Sequence, residues 1–235
     1  KIAGLEDIYL INQPLINGSY GIVENIPGLD AGEISFWFYP TLVNRGPQTL
    51  FRWQGLDVSI SDTGVFARWA EDGIHVPIEL QDLRWYWCSL KIGSEPLLRV
   101  ESKPLGPAER ELTRAQSSDS TLRVAEGDIV LAASAPGVAH FNGRLEAIKI
   151  SGPDHDCLHL DFSQEIGSQK MIDVSGNDCH GRLYQNPTRG VCGVHWDGSK
   201  QSYHEQPDHY GAIHFHDDDM TDAGWMESIN WTVPD

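Results

Sequence analysis

Hydrophobic and polar positions alternate in short runs along the first two thirds of the chain. The clearest run is 33–39, where Ile34, Phe36 and Phe38 share one face and Ser35, Trp37 and Tyr39 the other. Further strand-like runs, separated by turn-forming residues, lie at 49–53, 56–60, 65–69, 85–92, 97–102, 129–133 and 144–150. Many short strands with almost no helical period predict an all-β fold, an antiparallel β-sandwich or jelly roll.

One segment carries helix signals instead. Pro107 stands where a first helical turn tolerates proline, and Glu109 and Glu111 follow near the start. The pattern predicts a short polar helix over 107–116, placed in a loop.

A turn-rich break at 151–155 is the best internal boundary. We therefore predict a β-sandwich over residues 1–151 and a β-rich continuation over 152–235 that completes or flanks it. Two arrangements stay open. In one, the sandwich is circularly permuted and the late strands complete its first sheet; in the other, they form a second, incomplete β-unit with its own core.

The charge balance excludes some partners. The chain has 17 basic and 34 acidic residues, a net charge of −17, which argues against nucleic acid and anionic membranes. No apolar run approaches the ~20 residues of a membrane span, so we expect no membrane association. Cys88 lies in an apolar strand-like run and is expected to be a buried free thiol, and the irregular cysteine spacing favours a reducing, cytoplasmic setting. The chain begins with Lys1 rather than Met, so we expect either a removed leader or a piece of a longer protein.

The densest set of potential metal ligands lies in 210–225. His214 and His216 would share one strand face, and Asp217 and Asp219 follow on alternate positions. Such a set suits calcium or a transition metal. The main interpretation is that both histidines are structural, and a cation held by these four residues is the alternative.

Catalytic motifs are missing from the sequence. It contains no Gly-x-Ser-x-Gly elbow, phosphate-binding loop or dinucleotide fingerprint. No run carries the alternating carboxylates of glucanases. We expect that this chain is not catalytic by itself and holds no cofactor of its own.

Several strand motifs resemble a concanavalin-A-like, laminin-G-like domain. They are Glu33–Pro40 with its Trp-x-x-Pro end, Thr49–Phe51, Gly64–Phe66, Trp85–Trp87 and the closing strand Gly143–Ile150. The resemblance covers roughly residues 20–151. It implies the fold and not the function, because this fold carries many unrelated activities.

A second resemblance covers about residues 155–235. The motifs Asp161-Phe162, Asp173–Gly176, His180–Leu183, Asn186–Gly190, Gly193–Trp196 and Tyr210–Asp219 with Ala223–Trp225 resemble the large (beta) subunit of N,N-dimethylformamidases. That family implies a linear-amide hydrolase with a mononuclear iron held by tyrosine and glutamate, a C-terminal catalytic domain and a small partner subunit. None of the family's iron ligands can be placed on this sequence, so the catalytic domain is expected to lie outside it.

Two functions follow. The first is a non-catalytic N-terminal β-sandwich region of an amidohydrolase subunit, acting in subunit and domain contacts. The alternative is a freestanding carbohydrate- or protein-binding module with cation assistance. The sequence leaves homo-oligomerisation open.

Overall fold

The computed structural model describes residues 18–102, 111–191, 194–197, 202–205 and 211–216. Strands dominate these ranges, with one short 3-10 turn at Val43–Arg45. In chain order the strands are β1 (Tyr20–Ile26), β2 (Gly32–Pro40), β3 (Gln48–Trp53), β4 (Leu56–Ser61), β5 (Gly64–Trp69), β6 (Asp72–Pro77), β7 (Tyr86–Ile92), β8 (Leu97–Ser102), β9 (Leu112–Ser117), β10 (Gly127–Leu131), β11 (Gly143–Ser151), β12 (Asp156–Asp161), β13 (Lys170–Asp173), β14 (Gly181–Tyr184), β15 (Thr188–Val191), β16 (Val194–Asp197), β17 (Ser202–Glu205) and β18 (Ala212–Phe215).

The strands form an antiparallel sandwich of two sheets. The first sheet has the order β6-β5-β4-β3-β10-β1-β14-β13, and the second β12-β11-β2-β7-β8-β9. β12 pairs with β13 at the corner between them, and β18 extends the second sheet by pairing with β11 and β15. β16 and β17 pair only with each other among the described strands. The predicted all-β antiparallel sandwich is therefore confirmed.

The core lies between the two sheets and follows the alternation of the sequence. Phe36 of β2 and Phe51 of β3 stack across the sandwich with ring centroids 6.2 Å apart. Both are almost fully buried, as are the inward residues of the flanking strands. Burial of such large side chains is the dominant stabilising contribution, about 1.5–3 kcal/mol for each.

Strands after residue 152 share this core. Leu158, Leu160, Met171 and Leu183 belong to the same buried cluster as the inward residues of β2. β14 pairs with β1, β12 pairs with β11, and β12 pairs with β13, so these late strands extend both sheets and join them. The division at 151/152 and the lead into a further domain stay predictions.

The helix predicted over 107–116 is wrong where the structure describes it. Leu112–Ser117 is strand β9, paired along its length with β8. Leu112 packs against the core, so tertiary pairing overrides the local helix signals. Residues 103–110 lie outside the described ranges.

Cys88 is confirmed as a buried free thiol. It lies on the core side of β7, and burial raises its pKa to about 12. Across the described part of the chain, no helix has the length and apolar character needed to cross a bilayer.

Candidate functional site

The outer face of the second sheet carries an unusual concentration of large side chains. Its strand register sets them in three rows. The histidine row contains Thr188, His214, Arg144, Tyr39 and Trp85. The aromatic row contains Glu146, Trp37, Trp87, Glu101 and Thr113. The serine row contains Lys149, Ser35, Ser89, Arg99 and Ala115.

Aromatic contacts and a cation–π contact run along two of these rows. Trp37 and Trp87 lie 5.2 Å apart between ring centroids, and Tyr39 and Trp85 lie 5.0 Å apart. The guanidinium of Arg144 lies 4.7 Å from the centre of the Tyr39 ring. Tyr39 and Trp85 are buried in a second, smaller cluster outside the main core. Trp37, Trp87 and Arg144 are only partly buried and are therefore the large side chains of this group that reach the surface.

His214 lies in the histidine row, while Ile213 and Phe215 point into the core. Burial, together with smaller contributions from the nearby charges of Arg144 and His216, lowers the pKa of His214 to about 4. The imidazole is therefore neutral at pH 7. A neutral imidazole can ligate a metal, but the adjacent guanidinium opposes a bound cation.

The proposed cation site of His214, His216, Asp217 and Asp219 stays a prediction. Asp217 and Asp219 lie outside the described residues. Within the ranges that the structure describes, no group of three or more His, Cys, Asp or Glu side chains is placed to hold a metal.

His216 joins the two sheets at their rim through its backbone. Its N–H donates to Ser19 Oγ at 2.8 Å, and its carbonyl accepts the Ser19 N–H at 2.7 Å. The Ser19 carbonyl lies 3.0 Å from Nδ1 of the buried His140, whose Nε2 accepts the Gly137 N–H. His140 therefore carries its proton on Nδ1 and acts as a bridge in the fold. The sequence pattern did not single out His140.

The Asp173 motif forms an Asx-type turn. Its carboxylate accepts the N–H groups of His159, Ser175 and Cys179 and the Ser175 hydroxyl, at 2.8–3.0 Å. Burial would raise the pKa of Asp173, but these hydrogen bonds outweigh it and lower the pKa. The Asp173 N–H in turn donates to His180 Nδ1. All these oxygens face protein donors, so the motif binds β12 to the β13–β14 turn rather than a calcium ion.

Arg189 closes the corner between the two sheets. Its two terminal nitrogens donate to the carbonyl oxygens of Phe162, Gln164, Ser168 and Lys170. Those carbonyls lie at the corner between β12 of one sheet and β13 of the other. In a continuous sheet such carbonyls would accept hydrogen bonds from backbone N–H groups of a neighbouring strand, and here the Arg189 guanidinium donates instead. Beside it lies a surface depression of about 470 Å³ whose lining includes Ile166, Asn186 and Pro187.

Tyr184, a phenol within the family-like region, is engaged by its neighbours in the fold. Tyr184 stacks on Tyr20 with ring centroids 4.9 Å apart, and the Arg182 guanidinium lies 5.6 Å from the Tyr184 ring. A phenol beside a cation and packed on another ring is poorly placed to ligate iron. Tyr203 and Tyr210 belong to stretches whose side chains are not described.

No protein-family model matches the chain. It is 32% identical over 155 residues to the N,N-dimethylformamidase beta subunit of Alcaligenes sp, covering 52% of this chain and 20% of that protein. The beta subunit from Paracoccus aminophilus is 32% identical over 121 residues, covering 42% of this chain and 16% of that protein. The chain thus spans about a fifth of the length of the curated relatives it matches.

Two solved structures resemble the chain, and the one with a TM-score above 0.5 supports the fold. A proposed carbohydrate-binding protein from Bacteroides ovatus has a TM-score of 0.53 at 13% identity, covering 73% of this chain and 59% of that one. Domains LG4-5 of the mouse laminin alpha1 chain reach a TM-score of 0.40 at 12% identity, covering 57% of this chain and 40% of that one.

The motifs of the chain predicted a resemblance to the N,N-dimethylformamidase beta subunit. That resemblance is confirmed over about half of this chain.

Proposed function

We propose that this chain is a non-catalytic β-sandwich region of an amide-hydrolase subunit similar to the N,N-dimethylformamidase beta subunit. In this proposal the hydrolysis of a linear amide takes place in a catalytic domain outside the chain. The sandwich supports that domain and contacts other parts of the enzyme, including a small partner subunit. Iron, if the enzyme uses it, is held outside this chain.

The observation that carries the proposal is that two residues of the family-like motifs, Asp173 and Arg189, form hydrogen bonds within the fold itself. The Asp173 carboxylate accepts hydrogen bonds from N–H and O–H donors of its own turn and from His159 of β12. Arg189 donates four hydrogen bonds to backbone carbonyls. Residues engaged in this way hold strands in place and leave little chemistry for a substrate. In this proposal the family-like motifs of this chain serve the scaffold of the sandwich.

A chimaera tests the proposal. The stretch of the Alcaligenes sp beta subunit that matches this chain is replaced by the chain, and in a second variant it is deleted. The chimaera is expected to assemble and to release formate from N,N-dimethylformamide, whereas the deletion is expected to lose soluble assembly. Full activity of the deletion variant would contradict a supporting role.

The isolated chain supplies the matched control. Purified alone, it is expected to release no formate from the same amide. Turnover by the isolated chain would overturn the non-catalytic part of the proposal. Glycan binding that EDTA abolishes would favour the freestanding binding module instead.

A further inference from the structure

The outer face of the first sheet carries a row of basic side chains, called here the cationic row. The register of seven strands sets its members side by side from β13 to β5: Lys170, Arg182, Ile22, Val130, Arg52, Asp57 and Arg68. Four of them are basic and one is acidic, whereas the whole chain has 17 basic and 34 acidic residues. Positive charge gathered in this way attracts carboxylates.

The four bases of the cationic row are accessible to such a partner, because each of them is exposed. The Arg182 guanidinium lies 5.6 Å from the centre of the Tyr184 ring, and Arg68 makes a similar contact with an aromatic ring of its own strand. Arg52 donates one hydrogen bond, to a backbone carbonyl. Among the residues that the structure describes, none of the four bases forms an ion pair with a carboxylate. Donors of the row therefore remain for an acidic partner.

We propose that the acidic segment 217–235 of this chain docks on the cationic row. The segment lies outside the described residues. Its sequence contains neither Lys nor Arg and has six carboxylates, at Asp217, Asp218, Asp219, Asp222, Glu227 and Asp235. In the docked arrangement the three consecutive aspartates meet Arg182 and Lys170. The pairing brings opposite charges together and fixes where the chain runs after the sandwich.

The described chain brings this segment to the edge of the first sheet. His216, the residue before it, donates its N–H to Ser19 Oγ and accepts the Ser19 N–H at its carbonyl. Ile22 of the cationic row follows Ser19 by three residues along β1, which is about 10 Å. Three extended residues also span about 10 Å. Asp217–Asp219 can therefore reach the row directly from the rim.

The order of the bases decides on which side of β1 the segment docks. Lys170 and Arg182 are directly opposed across β13 and β14. Like charges in such a pair destabilise a sheet, and a carboxylate placed between them offsets the repulsion. On the other side of β1, Val130 stands before Arg52, so two bases are not adjacent there. The aspartates are thus expected over β14 and β13.

Two exposed acids limit how far the segment extends along β1. Glu24 of β1 and Asp128 of β10 lie beyond the cationic row as seen from the rim. Their negative charges repel the segment and oppose a shift past the row. The docking depends only on the first sheet and the segment, so it does not require the proposed amide-hydrolase role.

Carbodiimide coupling of the purified 235-residue chain, read by peptide mass spectrometry, tests the proposal. This reagent joins a lysine amine to a neighbouring carboxylate as an amide, with loss of water. Lys170 is expected to be joined to an aspartate of 217–222. The ion pair of Lys149 with Asp156, at 2.9 Å, is the positive control. Lys91 is exposed on the second sheet and should show no link to the segment.

A charge reversal beside Lys170 tests the role of the cationic row. Arg182→Glu should lower the yield of the Lys170 link about fivefold or more, because an attraction becomes a repulsion. Arg123→Glu is the matched control at an exposed ion pair outside the row, and it should leave the yield unchanged. Both positions are exposed, so both variants should keep the circular dichroism spectrum of the native chain.

An equal mixture of isotope-labelled and unlabelled chains separates links within one copy from links between copies. A Lys170 link that joins two copies overturns the proposal, as does one to Glu6 or Asp7 in place of the acidic segment. The proposal also fails if Lys170 has no link to the segment while Lys149 and Asp156 are coupled. A link that Arg182→Glu leaves intact overturns it as well.

Discussion

Acid should destabilise this protein through His214 before it protonates the carboxylates. The pKa of this imidazole is about 4 in the folded chain, against 6.5 for an ordinary histidine. The unfolded chain therefore binds the proton more tightly, so stability is complete above pH 6.5 and falls as the pH drops towards 4. At pH 5 the two pKa values give a loss of about 2 kcal/mol, and the limit below pH 4 is about 3 kcal/mol.

Urea unfolding of the native chain and of His214→Gln at pH 7.5 and pH 5 measures this loss. The difference in unfolding free energy between the two pH values should be about 2 kcal/mol larger for the native chain. His155 is exposed, so His155→Gln should keep the native pH dependence. Equal pH dependence of the native chain and His214→Gln would refute the argument. So would a pKa near 6.5 for His214 by NMR titration.

Three further outcomes are expected from buried positions. Asp173→Asn replaces a carboxylate oxygen that accepts two hydrogen bonds with an NH₂ group that cannot accept them. The unfolding free energy measured in urea should fall by about 2–4 kcal/mol. Asp154 is exposed, so Asp154→Asn should change the unfolding free energy little. Gly143→Ala places a Cβ 2.4 Å from a carbonyl oxygen of β2 and should lower the unfolding free energy by about 1–3 kcal/mol. Gly167 has open space around it, so Gly167→Ala should lower the unfolding free energy by less than about 1 kcal/mol. Cys88 should stay unmodified by iodoacetamide in the folded chain at pH 8 and react after unfolding, as peptide-resolved mass spectrometry would show. Native-state alkylation of Cys88, or equal stability within either variant pair, would contradict these expectations.

The sequence predicted the strands of the sandwich because alternation reports which side chains face a core. The run 33–39 is the clearest case, since its inward residues are fully or almost fully buried in the structure. The same logic failed for Leu112–Ser117, where exposed polar residues hide the strand period and only pairing with β8 fixes the conformation.

Less of the outer face of the second sheet could be predicted from the sequence. The alternation placed Trp37 and Tyr39 opposite the core residues, but it could not show which strands lie beside β2. Arg144 reaches the Tyr39 ring only because β11 pairs with β2 after about a hundred intervening residues. Long-range pairing of this kind leaves no local periodicity. Arg189 was part of a recognised motif, yet its four carbonyl partners became visible only in the folded corner.

The place of β1 has a consequence for biosynthesis. Gly21 pairs with Leu131 on one side and with Leu183 on the other, so both partners of this early strand are synthesised more than a hundred residues later. A nascent chain emerging from the ribosome cannot complete the first sheet until β14 has been made. Closing such long loops slows folding and leaves apolar strands exposed in the meantime. The yield of this protein should therefore depend on translation rate and chaperone supply more strongly than its final stability suggests.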